Sequence, residues 1–223
     1  MAKKEEYKAT KTEHVASQTN QWIGKNAKIL IGVGVGVIVV LLALLIVLSV
    51  VDNKKERSFE ALLALETSYS KLEEVDDDQF ITECQALISD NGLSSYPGAK
   101  AALYLADVSY DNGDYSTALD WYNKVAEAQS KTYLYQVAMM NSAAANEMLD
   151  NAGAALDIYN TLWESFGKNG LYGSRALFNA ARLYEAQGNK DLAKATYEQL
   201  VGEYEPLQSE YASLAKTRLA QLN

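Results

Sequence analysis

Three segments of this chain superpose without a gap, and that repetition constrains the fold more than any other feature. They are Gly113 to Val125 (GDYSTALDWYNKV), Asp150 to Leu162 (DNAGAALDIYNTL) and Gly188 to Leu200 (GNKDLAKATYEQL). Each opens on a turn residue, places a small Ala five positions on, an aromatic four further and an aliphatic three further. Ala118, Ala155 and Ala193 therefore lie 37 and 38 residues apart. A period of that length marks a supersecondary unit that cannot bury its apolar face alone and must stack on its neighbours. Gly or Asp followed by Asp or Asn stops one helix and caps the next. Upstream of each turn stands a second apolar set at i, i+3, i+4 and i+7: Ala102, Leu105, Ala106 and Ser109; Met139, Ser142, Ala143 and Asn146; Leu177, Ala180, Ala181 and Tyr184. That spacing is one face of a helix. The unit is thus a helical hairpin, closed where the small residues let two helices approach and filled by Tyr122, Tyr159 and Tyr197 one turn later.

These residues resemble the signature of tetratricopeptide repeats: Gly or Asn at the hairpin turn, the second-helix Ala and the aromatic that follows it. Three such units cover residues 99–205, and Pro206 stands where that family often ends a unit. Asp150 in place of Gly makes the middle unit irregular. The spacing exceeds the usual 34, so longer loops are expected, of which Lys168-Asn169-Gly170-Leu171-Tyr172-Gly173 is one. Residues 52–98 read as a degenerate first hairpin, with Leu62, Leu65, Tyr69 and Leu72 on one helix stripe and Phe80, Cys84, Leu87 and Ile88 on another. Residues 206–223 read as a capping helix with Leu207, Tyr211, Leu214, Arg218 and Leu222 on its inner face, since a solenoid must shield its last apolar surface.

Ahead of the repeats, residues 29–51 (ILIGVGVGVIVVLLALLIVLSVV) run for 23 positions without a charge. As a helix this run is roughly 34 Å long, enough to cross a hydrocarbon core of about 30 Å. It exceeds the apolar region of a cleavable signal peptide, follows 28 residues and lacks a small-x-small exit, so it reads as a retained transmembrane anchor. The expected fold is therefore all-α: a tail over 1–28, one transmembrane helix, and a tetratricopeptide-type α-solenoid with its cap. The tail holds six Lys against three Glu. With the whole chain at net −9, the remainder is at −12, which argues against nucleic acid as a partner. Lys3, Lys4, Lys8, Lys11, Lys25 and Lys28 favour a cytoplasmic N-terminus, with the repeats on the far side of the membrane, although Lys54, Lys55 and Arg57 weaken the asymmetry. Trp22 suits an interfacial anchor. Gly32 and Gly36 form a GxxxG spacing that permits a homodimer or another helix contact in lipid.

The residues of catalysis are missing from the pattern. The single His14 lies in the tail, Cys84 is alone and falls on a core face, and no glycine loop precedes a Lys-Ser/Thr pair. Glu73-Glu74 and Asp76-Asp77-Asp78 sit at a hairpin turn, where acids favour a helix N-terminus. No catalytic residue, metal or cofactor is expected, and the reading is of a protein-binding module rather than an enzyme.

By position, the tetratricopeptide resemblance implies a groove lined by the first helices: Tyr104, Asp107 and Tyr110; Met140 and Asn141; Arg175, Asn179 and Arg182. Leu103 and Asp107 depart from the residues that clamp a peptide carboxylate, so that clamp is not implied. The remaining mixture of aromatic, Met and Arg groups suits extended or partly folded chains. The whole layout is also similar to the bacterial family of tetratricopeptide-repeat ancillary subunits of the SecYEG translocon. The resemblance is strongest from Asp78 to Leu119, with the turn Asn91-Gly92-Leu93-Ser94-Ser95-Tyr96-Pro97-Gly98-Ala99. It implies an inner-membrane protein whose periplasmic repeats meet the translocon, translocating chains or chaperones. The alternative is a structural scaffold subunit of an envelope machine, whether for secretion, outer-membrane assembly or motility.

Overall fold

The structure, a computed structural model, describes residues 11–70, 77–130 and 132–222, apart from the side chains of 11–14 and 77. Leu72, Glu73, Glu74, Asp76, the His14 side chain and the tail lysines Lys3, Lys4 and Lys8 lie outside the described residues. Two compact units divide the chain at Glu56 and Arg57.

The first unit is helical throughout its described part. It holds most of helix α1, Lys11–Tyr69, whose last turns belong to the second unit. The helix runs unbroken through 52–56. Its apolar stretch has a mean hydropathy of 3.3 and no buried residue, and it is the one helix among the described residues long and apolar enough to cross a membrane.

The second unit is a stack of helical hairpins with no strand among the described residues. After the end of α1 come α2 (Asp77–Asn91), α3 (Tyr96–Asp111), α4 (Tyr115–Ala128), α5 (Tyr133–Met148), α6 (Ala152–Phe166), α7 (Gly173–Ala186), α8 (Lys190–Tyr204) and α9 (Glu210–Leu222). From α2 onward each helix packs on the next, and α3 also meets α5 as α7 meets α9. This is the nearest-neighbour pattern of a repeat array. The core accordingly forms successive clusters, from Leu62, Leu65, Phe80 and Cys84 at one end to Tyr197, Leu200, Ala212 and Ala215 at the other.

The repeat signature explains the hairpins directly. Ala118, Ala155 and Ala193 are fully buried, as are Ala106, Ala143 and Ala181, so the backbones approach where side chains are smallest. Tyr122, Tyr159 and Tyr197 are the largest fully buried side chains among the described residues. All three hairpin turns close in the same way. The amides of Asp114, Asn151 and Asn189 donate to the carbonyls of Ser109, Asn146 and Tyr184, and those of Gly113, Asp150 and Gly188 donate to Tyr110, Glu147 and Glu185. That pair of bonds needs a left-handed residue just past the helix. Gly113 (φ 80°) and Gly188 (φ 78°) supply it freely, and Asp150 adopts φ 60° to do the same. Capping of the following helix is less uniform than the sequence implied. The Asp114 carboxylate accepts from Thr117 N at 3.1 Å, whereas Asn151 and Asn189 make no side-chain cap bond.

Two further details differ from expectation. The final helix starts at Glu210 rather than near Leu207, because Glu205–Leu207 form a short 3₁₀ turn around Pro206 and Gln208 is left-handed. Ala212 and Ala215 are buried with Tyr211 and Leu222 packed beside them, while Leu207 is 62% exposed and Leu214 42%. At the other end, Cys84 is fully buried, and burial pushes its thiol up to about 12, an unreactive core group.

Candidate protein-binding cleft

The first helices of three successive repeats converge on one cleft of about 220 Å³ in the second unit. Its walls are Tyr69 from the end of α1, Asp107, Tyr110 and Asp111 from α3, Tyr122 from α4, Asn141 and Ala144 from α5, and Arg175 from α7. Four of the groove residues expected from the sequence, Asp107, Tyr110, Asn141 and Arg175, are thus brought together. Asp107 is the chemical centre. Tyr122 Oη donates to its Oδ1 at 2.5 Å, and Asn141 Nδ2 donates to the same oxygen at 3.3 Å. Burial raises the Asp107 carboxyl above the usual range, against the lowering effect of the Tyr122 hydrogen bond. Burial and the charges of Asp107 and Asp111 together push the Tyr69 hydroxyl up to about 12.

The other expected residues are placed differently. Met140 is 1% exposed and packs with Ala143, Tyr159 and Ala176, so it is core rather than groove. Tyr104 is 9% exposed, stacks at 4.6 Å on Tyr69 and donates to Glu66 Oε1 at 3.2 Å. Arg182 is held by Glu147 at 2.7 Å and 2.5 Å. Asn179 is half-buried on α7 and does not line the cleft. In the other unit, Gly32 and Gly36 lie one turn apart on α1, and a Cβ built at either meets nothing within 4 Å. Among the described residues no group of three His, Cys, Asp or Glu is set to hold a metal.

Sequence reasoning missed the pairing that ties Arg182 down. Tyr159 Oη donates to Glu147 Oε1 at 2.8 Å, and Glu147 binds Arg182 of the next first helix. One unit on, Tyr197 Oη donates to Glu185 Oε2 at 3.3 Å, and Glu185 accepts from both Nε and Nη2 of Arg218 on α9. Each acid thus joins its own hairpin's tyrosine to the next unit's arginine, a device that we term the lock. The signal was an acid 12 residues before Tyr159 and Tyr197, with an arginine 35 or 33 residues after the acid.

Comparison with known families adds the decisive observation. The family described as a tetratricopeptide repeat-like domain matches residues 20–161, more than half of the chain, and a second tetratricopeptide repeat family matches 175–205. The chain belongs to the tetratricopeptide-repeat family. The first match begins upstream of the apolar run and includes it. A comparison with curated proteins found no match. Tetratricopeptide repeats are protein-interaction modules, and the cleft is built from the first helices, the elements whose side chains such a stack offers to a partner.

Proposed function

We propose that the protein is a non-catalytic, membrane-anchored receptor for polypeptide segments, acting at the inner-membrane translocon on secreted or envelope proteins. The apolar run 29–51 is its single membrane span, the Lys-bearing tail lies in the cytoplasm and the repeats lie in the periplasm. The observation that carries the reading is the open cleft at which Asp107, Tyr110, Asn141 and Arg175 meet, a mixed polar and aromatic surface on a chain that also holds an apolar helix of spanning length. Rings and amphipathic groups accept varied side chains, which suits transient contact with chains that have not yet folded. The open face at Gly32 and Gly36 is where a second copy or another membrane helix would approach.

Two measurements test this. A photocrosslinking residue at Tyr110, in the full chain in native membranes, is expected to capture translocating chains and translocon components. Recovery of one fixed stoichiometric partner in mild detergent would instead identify a structural scaffold subunit. A reporter active only outside the cytoplasm, fused after Asn223, is expected to be active, and a silent fusion would reverse the topology.

A further inference from the structure

Comparing the repeats with one another shows what the cleft lacks. In the register set by Ala106, Ala143 and Ala181, the next position holds Asp107, Ala144 and Arg182, and the position three beyond that holds Tyr110, Glu147 and Glu185. The second and third repeats therefore carry the acid, and each receives an arginine from the next unit, Arg182 of α7 or Arg218 of α9. Between the first and second repeats both partners differ. Tyr110 stands in the acid's place, and Ala144, half-buried, stands in the arginine's place. The acid has moved one turn back to Asp107, and a second acid, Asp111, lies one turn further on. The cleft occupies the space that an arginine side chain at 144 would enter.

The residues lining the cleft are net acidic. Both hydrogen bonds to Asp107 among the described residues fall on Oδ1. No fully buried polar side-chain atom among the described residues lacks a partner, so Oδ2 of this half-buried residue reaches solvent. Two carboxylates line the cleft against the single guanidinium of Arg175 on its α7 wall. The rings of Tyr69 and Tyr110 complete a surface on which a flat cation can lie. The same row of helices already holds one cation over a ring, with Lys100 Nζ 4.6 Å from the centroid of Tyr104. A planar guanidinium with several donors fits a carboxylate flanked by rings better than a compact ammonium does.

We infer that the cleft receives an arginine side chain from an extended segment of a partner polypeptide, which supplies in trans what Arg182 and Arg218 supply within the chain at the later interfaces. The inference rests on the protein-binding reading and narrows it to one anchoring chemistry.

Fluorescence anisotropy on the full chain in detergent micelles tests it with two labelled ten-residue peptides of Ser, Thr, Val and Gly around one central residue. That residue is arginine in one peptide and its neutral isostere citrulline in the other. The arginine peptide is expected to bind at least about tenfold more tightly, since each tenfold corresponds to about 1.4 kcal/mol and a charge-assisted hydrogen bond is worth about that or more. Asp107→Asn keeps the acceptor oxygen for Tyr122 and is expected to abolish the preference. Ala144→Arg places a guanidinium in the cleft from within and is expected to abolish binding of the arginine peptide; a melting curve on each variant establishes that it is folded. Equal affinity for the two peptides, binding of neither, or an unchanged preference in Asp107→Asn would overturn the inference. Crosslinks from Tyr110 to chains without arginine would do so too, while leaving the broader receptor reading in place.

Discussion

The interface between the first and second repeats and the two interfaces that follow it are built on one plan and finished differently. In the later two, a buried tyrosine, an acid and an arginine from the next unit close on one another. The acid there is satisfied from both sides, and the side chains of Glu147 and Glu185 keep only about a fifth of their surface exposed. In the first, the tyrosine and the acid are present, but the arginine position is Ala144, and Asp107 keeps one oxygen toward an open cleft. A repeat array has stability contributions from each interface in turn, so an interface can be left incomplete without unfolding its neighbours. The later interfaces are closed by the chain's own residues, and the first leaves a cleft.

The strongest way to break this contrast is to open a lock. Glu147→Ala removes the acceptor of the buried Tyr159 hydroxyl and the partner of Arg182 together. Arg182 is 41% exposed and can turn to water, so the loss falls mainly on the tyrosine and the charge-assisted bonds. The expected destabilisation is roughly 2–4 kcal/mol, read as a lowered midpoint in denaturant titration. A cost below about 0.5 kcal/mol would mean that the lock contributes no more than an ordinary surface pair.

The open interface responds in the opposite direction and with pH. Burial raises the Asp107 carboxyl, so the folded state holds its proton more tightly than the unfolded chain does. For an acid of that kind, stability is lost as pH rises above the ordinary value of about 3.9, because the buried group must then ionise. Asp107→Asn removes that loss while keeping an oxygen for Tyr122 and Asn141. It is expected to melt above the parent at neutral pH, with the difference shrinking as pH falls towards 4. A variant that melts lower at neutral pH would show that Asp107 is held for stability rather than for a partner.

The smallest effect concerns the turns. Asp150 adopts the left-handed conformation that Gly113 and Gly188 adopt at the equivalent places. Asp150→Gly relieves a backbone cost and is expected to stabilise by about 0.5–1 kcal/mol, a rise of roughly 1–4 °C in melting temperature. No rise would place the carboxylate in a compensating contact.

Much of the fold was legible because its rules are local. Ala118 and Tyr122, four apart, and Ala102, Leu105 and Ala106 on one face follow from helical geometry alone, and all are buried where the spacing puts them. Asp150 in place of Gly marked the middle unit as irregular, yet its left-handed turn closes in the same way as the other two. The site was legible only in part. Asp107, Tyr110, Asn141 and Arg175 line one cleft, whereas Met140, assigned to the groove by position, turns into the core beside Tyr159. Positional transfer carries no information on how far each helix is rotated in its layer. In the cap, Tyr211 and Leu222 pack on the core and Arg218 pairs with Glu185, whereas Leu207 and Leu214 are exposed and Ala212 and Ala215 are buried.

The sequence by itself determined an all-α repeat with a 37- to 38-residue period, an uncharged run of spanning length ahead of it, and which small and aromatic residues close each hairpin. Those features depend on neighbours within one or two helical turns. Only the tertiary structure decided which charges are satisfied. Glu147 and Arg182 are 35 residues apart, and Asp107 and Asn141 are 34 apart. Whether such residues touch depends on how one hairpin is displaced and turned on the next, which the packing of the whole stack sets and no short-range pattern records.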